Sequence, residues 1–188
     1  MKRSRTVAFS LAILAVLTAG CGYNTIQTLD ERVNQAKGQI QAQLQRRADL
    51  IPNLVATVKG ITKQEDTVFI SIANARSRLG GAIQSGNVPE MAAANAALSQ
   101  GLGRLIAISE NYPQLRSSEN FRQLQDQLEG TENRISVARQ DYNAAVGEYN
   151  AYIRRVPYNL TARIFGLGTP REYFEAEQGA GKAPKVKF

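Results

Sequence analysis

The 188-residue chain has no histidine and a single cysteine, Cys21. That count excludes an intramolecular disulfide, a Cys-x-x-Cys redox pair and a Cys/His zinc site. It also excludes di-iron helical bundles built on Glu-x-x-His pairs. Acid–base chemistry would fall to carboxylates, Lys or Tyr. Glu129 and Glu132, three residues apart, have chelating spacing, but a solvated helix face is the simpler reading of them. No Gly-rich phosphate loop is present: the GLG stretches at Gly101 and Gly166 lack a following Lys and a strand-to-helix setting. Nothing in the sequence calls for a metal or a cofactor.

What is there begins with a distinctive N-terminus. Lys2, Arg3 and Arg5 precede an uncharged stretch that runs to Cys21, with small Ala19 and Gly20 just before the cysteine. This is the layout of a bacterial lipoprotein signal over residues 1–20, cut so that an acylated Cys21 becomes the mature N-terminus. The alternative is an uncleaved inner-membrane anchor over residues 6–22, at the lower edge of the ~17–25 residues needed to span. Gly22 stands where Asp would commonly retain a lipoprotein at the inner membrane, so the expected site is the periplasmic face, at the outer membrane where the organism has one. Three of the 23 basic residues leave with the signal, so the net charge falls from +7 to +4. The remaining Lys and Arg are spread along the chain, which argues against nucleic acid as a partner.

After the signal the apolar periodicity is helical. Ile26, Leu29, Val33, Ala36 and Ile40 step by three and four, and a four-after-four stutter leads to Leu44. The steps then resume through Arg47, Ile51, Leu54, Val58, Ile61, Glu65, Val68, Ile72, Ala75 and Leu79, with Gly80 and Gly81 expected to end the run. Pro52 falls inside it. The stripe keeps its phase across Pro52 and no turn residues interrupt it, so a kink or a very tight break is expected there. Asn87 and Glu90 form a capping-box-like pair, with Pro89 in the first turn of a helix carrying Met91, Ala94, Leu98, Leu102 and Leu105. Ser118 caps the strongest seam: Phe121, Leu124, Leu128, Thr131, Ile135, Ala138, Tyr142, Ala145, Tyr149, Tyr152 and Val156. All but Thr131 are apolar or aromatic, and Pro157 stops the helix. A short helix ending at Gly166 follows. The expected fold is all-α: an antiparallel up-and-down bundle of long helices over residues 21–168, with an extended tail over residues 169–188.

Three stretches, LQRRADLIPNLVATVKG, YPQLRSSENFRQLQDQLEGTENRISVARQDYNAAVGEYN and the following Pro with IFG, together resemble the LemA family of bacterial envelope proteins. The ending PKVKF is similar as well. The resemblance covers residues 44–188 and implies a membrane-anchored bundle of long helices, with no established biochemical activity. Typical members look like proteins with an N-terminal spanning helix, whereas this chain carries a signal ending at Cys21.

Candidate sites are few. Cys21 is the lipidation site and, through it, the membrane is the first partner. Tyr142-Asn143 and Tyr149-Asn150 recur seven residues apart on one helix face. They read either as an aromatic and amide groove for a glycan or peptide, or as rings filling the bundle while the amides tie neighbouring backbone. Arg47 and Glu65 interrupt an apolar seam and suit a buried polar pair or a contact with another helix. Val186 and Phe188 alternate with lysines, so the tail either lies in a groove or offers Phe188 to a partner by strand addition. The function expected is a non-enzymatic scaffold or adaptor with envelope protein partners. A carboxylate-dependent enzyme or regulator, or a binder of cell wall or of anionic lipid through Arg46, Arg154 and Arg155, stands as the alternative.

Overall fold

The computed structural model describes residues 2–60 and 66–174, with side chains from residue 22 onward. Among these residues the chain is all-α. Its helices are α1 (Lys2–Lys59), α2 (Asp66–Ser85), α3 (Val88–Ser109), α4 (Pro113–Arg116), α5 (Glu119–Tyr152) and α6 (Tyr158–Ile164). They fall into two compact units. One takes Met1–Lys37 with Asp141–Glu172, and the other takes Gly38–Gln140 with Tyr173–Phe188.

In the larger unit α1 buries Ile40, Leu44, Ile51, Leu54 and Val58, as their spacing predicts. Full burial of each such side chain is worth about 1.5–3 kcal/mol. The expected run to Leu79 is not one helix, however. It stops at Lys59, where the Gly60 N–H bonds the Ala56 carbonyl at 3.2 Å, and α2 restarts at Asp66. An acidic residue in the first turn suits the positive end of the helix dipole. Ile61 and Glu65 lie outside the described residues. In α2 the buried position is Phe69, while Val68 is only partly covered.

Gly80 and Gly81 do not end α2 either. A Cβ at either position would meet open space, so both are ordinary surface turns of the helix. The chain reverses at Gly86, whose φ of 67° lies in the left-handed region that glycine adopts without strain. Asn87 then caps α3, accepting the Glu90 N–H at 3.2 Å as the capping pattern predicts. Ile72 and Gly101 sit almost symmetrically about this turn and pack together, which makes α2 and α3 an antiparallel hairpin. A Cβ on Gly101 would come within 2.8 Å of Ile72 Cγ1. Glycine is what lets the helices approach there.

Pro52 neither caps nor splits a helix: α1 runs through it, with the proline on the exposed side. A proline has no N–H, so the carbonyl four residues earlier, that of Ala48, loses its helical donor. Arg76 of α2 fills the role, its Nε donating to Ala48 O at 2.8 Å. A neighbouring helix thus satisfies the group the proline orphans, and of the kink or tight break expected here the break does not occur.

In the smaller unit α1 buries Ile26, Val33 and Ala36. The α5 seam changes phase here. It follows the predicted steps through Ile135, Ala138 and Tyr142, then buries Val146 and Ile153 in place of Ala145 and Tyr152, with Tyr149 buried as expected. The step from 138 to 142 to 146 is a second four-after-four stutter. Since α5 ends at Tyr152, Val156 lies beyond the helix and is 79% exposed. The short helix predicted after Pro157 is α6, closed by Gly166 at φ 71°.

Candidate functional site

In the smaller unit the tyrosine and asparagine side chains of α5 meet a stretch of the same chain, residues 167–172, which belongs to no helix and whose Leu167 N–H closes α6 on the Ala162 carbonyl at 2.8 Å. Tyr149 donates its hydroxyl to the Leu167 carbonyl at 2.8 Å, and Tyr142 donates to the Glu172 carbonyl at 2.9 Å. Between them Asn150 makes a two-way pairing with Arg171. Its Nδ2 donates to the Arg171 carbonyl at 2.9 Å, and its Oδ1 accepts the Arg171 N–H at 2.8 Å. One amide side chain thereby satisfies both main-chain groups of one residue, as a neighbouring strand would.

The Arg171 side chain completes the arrangement. Its Nη2 and Nε reach Asp30 Oδ1 on α1 at 2.6 and 3.0 Å, and its guanidinium lies 5.8 Å from the centre of the Tyr149 ring. The bonds to Asp30 hold the Arg171 guanidinium above its ordinary range, against the opposing effect of burial. Burial pushes both phenols up, Tyr142 and Tyr149 alike, so each stays a neutral donor. Asn143 is half-buried on the same helix and also engaged. The sequence pattern singled out these four residues. It did not show Arg171 and Asp30, because a main-chain partner leaves no side-chain signature.

The larger unit holds a second polar cluster around Arg47, only 5% exposed. Its Nη1 donates to Asn95 Oδ1 of α3 at 2.7 Å and pairs with Glu132 Oε2 of α5 at 2.6 Å. Burial pulls the Arg47 guanidinium below its usual range, and the Glu132 charge opposes that shift. Sequence spacing marks Arg47 as a buried polar residue, but it leaves Glu132 on a solvated face; the carboxylate is half-exposed and turned onto Arg47. Among the described residues, Arg47 Nε and Gln43 Oε1, one helical turn apart on α1, are buried without a hydrogen-bond partner. A partly satisfied buried charge of this kind is weak evidence for stability, because desolvation offsets the attraction between the partners. The side chain of Cys21, and Phe188 altogether, lie outside the described residues.

The profile of the LemA family matches residues 36–188. The chain belongs to the LemA family. It is also similar to Magnetosome protein MamQ 2 of Paramagnetospirillum magneticum, 29% identical over 187 residues that cover 87% of this chain and 68% of the relative. Magnetosome protein MamQ of Magnetospirillum gryphiswaldense is 27% identical over the same shares. The family match takes in α2 to α6 whole and so includes Arg47, Asn95, Glu132 and the Tyr142–Asn150–Arg171 arrangement.

Proposed function

We propose that this LemA-family chain is a non-enzymatic helical scaffold of the bacterial cell envelope, held to the membrane by its N-terminus. One observation carries the reading: in both units the polar side chains that could have served chemistry are bonded within the chain. Tyr142, Tyr149 and Asn150 hold residues 167–172, and Arg47 holds Asn95 and Glu132. What such a molecule offers to others is helical surface. Similarity to proteins named for the magnetosome supports membrane association.

Among the described residues no helix is long and apolar enough to cross a membrane. The anchor is assigned to the basic start, the uncharged stretch and Cys21, with the lipid chains on the cysteine. Two or more acyl chains hold stably where one holds marginally, at about 0.8 kcal/mol per buried CH₂. Replacing Cys21 with Ser tests this. Loss of processing, with an unlipidated precursor mass, is expected; an unchanged mature mass and unchanged detergent partition would overturn it. Crosslinking in intact membranes would identify the protein partners of the helical surface.

A further inference from the structure

We infer that α6 and the turn before it lie in the headgroup layer of an anionic membrane, beside the point where α1 meets it. The inference rests on the N-terminal anchoring proposed above and adds a second contact to it.

The exposed apolar surface is concentrated here. Seven large hydrophobic side chains are exposed among the described residues, and four of them, Val156, Leu160, Ile164 and Phe165, fall within ten residues. Leu160 and Ile164 are one turn apart on the outer face of α6, 59% and 77% exposed, while Thr161 and Ala162 face inward. An apolar surface this concentrated marks an interaction site rather than chance exposure.

Charge selects the occupant. Arg154, Arg155 and Arg163 are exposed around the apolar residues, and no Asp or Glu occurs in residues 153–168 or in residues 22–29 of α1. Apolar side chains ringed by arginine, with no carboxylate, match the acyl boundary below anionic headgroups. A second copy of the same patch would bring like charges together.

Position supplies the third support. The Tyr158 ring presses on α1 so closely that a Cβ at Gly22 would lie 2.6 Å from its Cδ1. Tyr23 and Phe165 meet with ring centres 4.6 Å apart, and Tyr158 stacks on Tyr152 of α5 at 4.4 Å. These contacts fix the patch beside Gly22 and Tyr23, the residues directly after Cys21. Whether the anchor is a lipid on that cysteine or a helix before it, α1 reaches the bilayer there. A seven-residue helix binds a membrane too weakly alone, but the anchor holds it at high local concentration. Arg46 belongs to the other unit and carries no part of this proposal.

The chain has no tryptophan, so a single introduced indole reports its own surroundings. The full-length protein carrying Ile164→Trp would be reconstituted into phosphatidylcholine vesicles with and without phosphatidylglycerol, some containing brominated acyl chains. Val137→Trp on α5, 57% exposed against 77% for Ile164, serves as control. Expected are a blue-shifted emission and several-fold stronger bromolipid quenching at position 164 than at 137, with phosphatidylglycerol strengthening the effect. Adding Arg154→Gln, Arg155→Gln and Arg163→Gln should remove that strengthening. Flotation with the vesicles but equal quenching at both positions would overturn the inference and leave the anchor standing. A blue shift without bromolipid quenching would assign the face to a second copy and overturn it too. Failure to float with vesicles would overturn the anchor and this inference together.

Discussion

Each unit contains one arginine at the centre of a polar cluster, and the two are used differently. Arg47 is almost fully buried and bonds side chains on two other helices. Arg171 is partly exposed, bonds Asp30 with its side chain, and offers its backbone to Asn150. Burial dominates the titration of the first and hydrogen bonding that of the second, so their guanidinium values move in opposite directions. A buried charge with part of its hydrogen bonding unmet loses much of its attraction to desolvation. A half-exposed charge with fixed main-chain bonds holds down a segment that has no helix of its own.

The sharpest break in this comparison should come at Arg47. Removing Asn95 by N95A leaves the buried guanidinium with Glu132 as its one partner and is expected to cost about 1.5–3 kcal/mol, the range for a lost hydrogen bond to a charged group. Replacing Arg47 itself with Met should cost much less, because it removes the charge and fills the space. Urea denaturation of the two variants distinguishes them; equal losses would show that the charge is not the source of the cost. Core truncations nearby give the scale. Leu128→Ala and Ile135→Ala should each cost about 2–5 kcal/mol, against little for exposed Gln127→Ala.

In the smaller unit the expected losses are lower. Asn150→Ala removes both bonds to Arg171 and should cost about 1–3 kcal/mol, while Tyr149→Phe removes one neutral bond and should cost about 1 kcal/mol. These phenols also set a pH signature. The folded state raises both above the ordinary tyrosine value, so their contribution is complete below about pH 10 and is lost as pH rises through the folded values. The melting temperature should therefore fall more steeply above about pH 10 than that of a Tyr142→Phe/Tyr149→Phe double variant. Parallel curves would contradict the burial of these hydroxyls.

Two kinds of glycine are separated by the sign of their effects. Gly101→Ala meets Ile72 and should destabilise by about 1–3 kcal/mol. Gly81→Ala faces open space inside a helix and should stabilise by about 0.5–1 kcal/mol. If both behave alike, the close approach of α2 and α3 at Gly101 is wrong.

The sequence carried the buried face of α1 and α3 almost residue by residue, since a 3.6-residue period records which side faces the core. It carried the capping of α3 and the short helix after Pro157 for the same reason: local chemistry decides them. Helix ends were less legible. Apolar phase continues through Gly60, and the step from Ala145 to Val146 joins two adjacent apolar residues that periodicity cannot rank. Arg47 was visible as a polar residue on an apolar seam, but its partners Asn95 and Glu132 come from other helices and share no spacing with it. Pro52 read as a kink or a tight break because its remedy, Arg76, lies 28 residues beyond the carbonyl it satisfies. Asn150 tying neighbouring backbone, with Tyr142 and Tyr149 buried, was one of the two readings the sequence offered; that the backbone is residues 167–172 left no trace, because main-chain groups are the same in every sequence.

That attachment is where the account is most directly tested. The Arg171 amide belongs to no helix and is held by Asn150 Oδ1 alone at 2.8 Å. Hydrogen exchange measured by NMR on the full chain should show it strongly protected, and Asn150→Ala should return it to the rate of an open peptide while the α5 amides stay slow. An Arg171 amide that exchanges freely in the unaltered protein would contradict the use of these side chains to hold the chain itself.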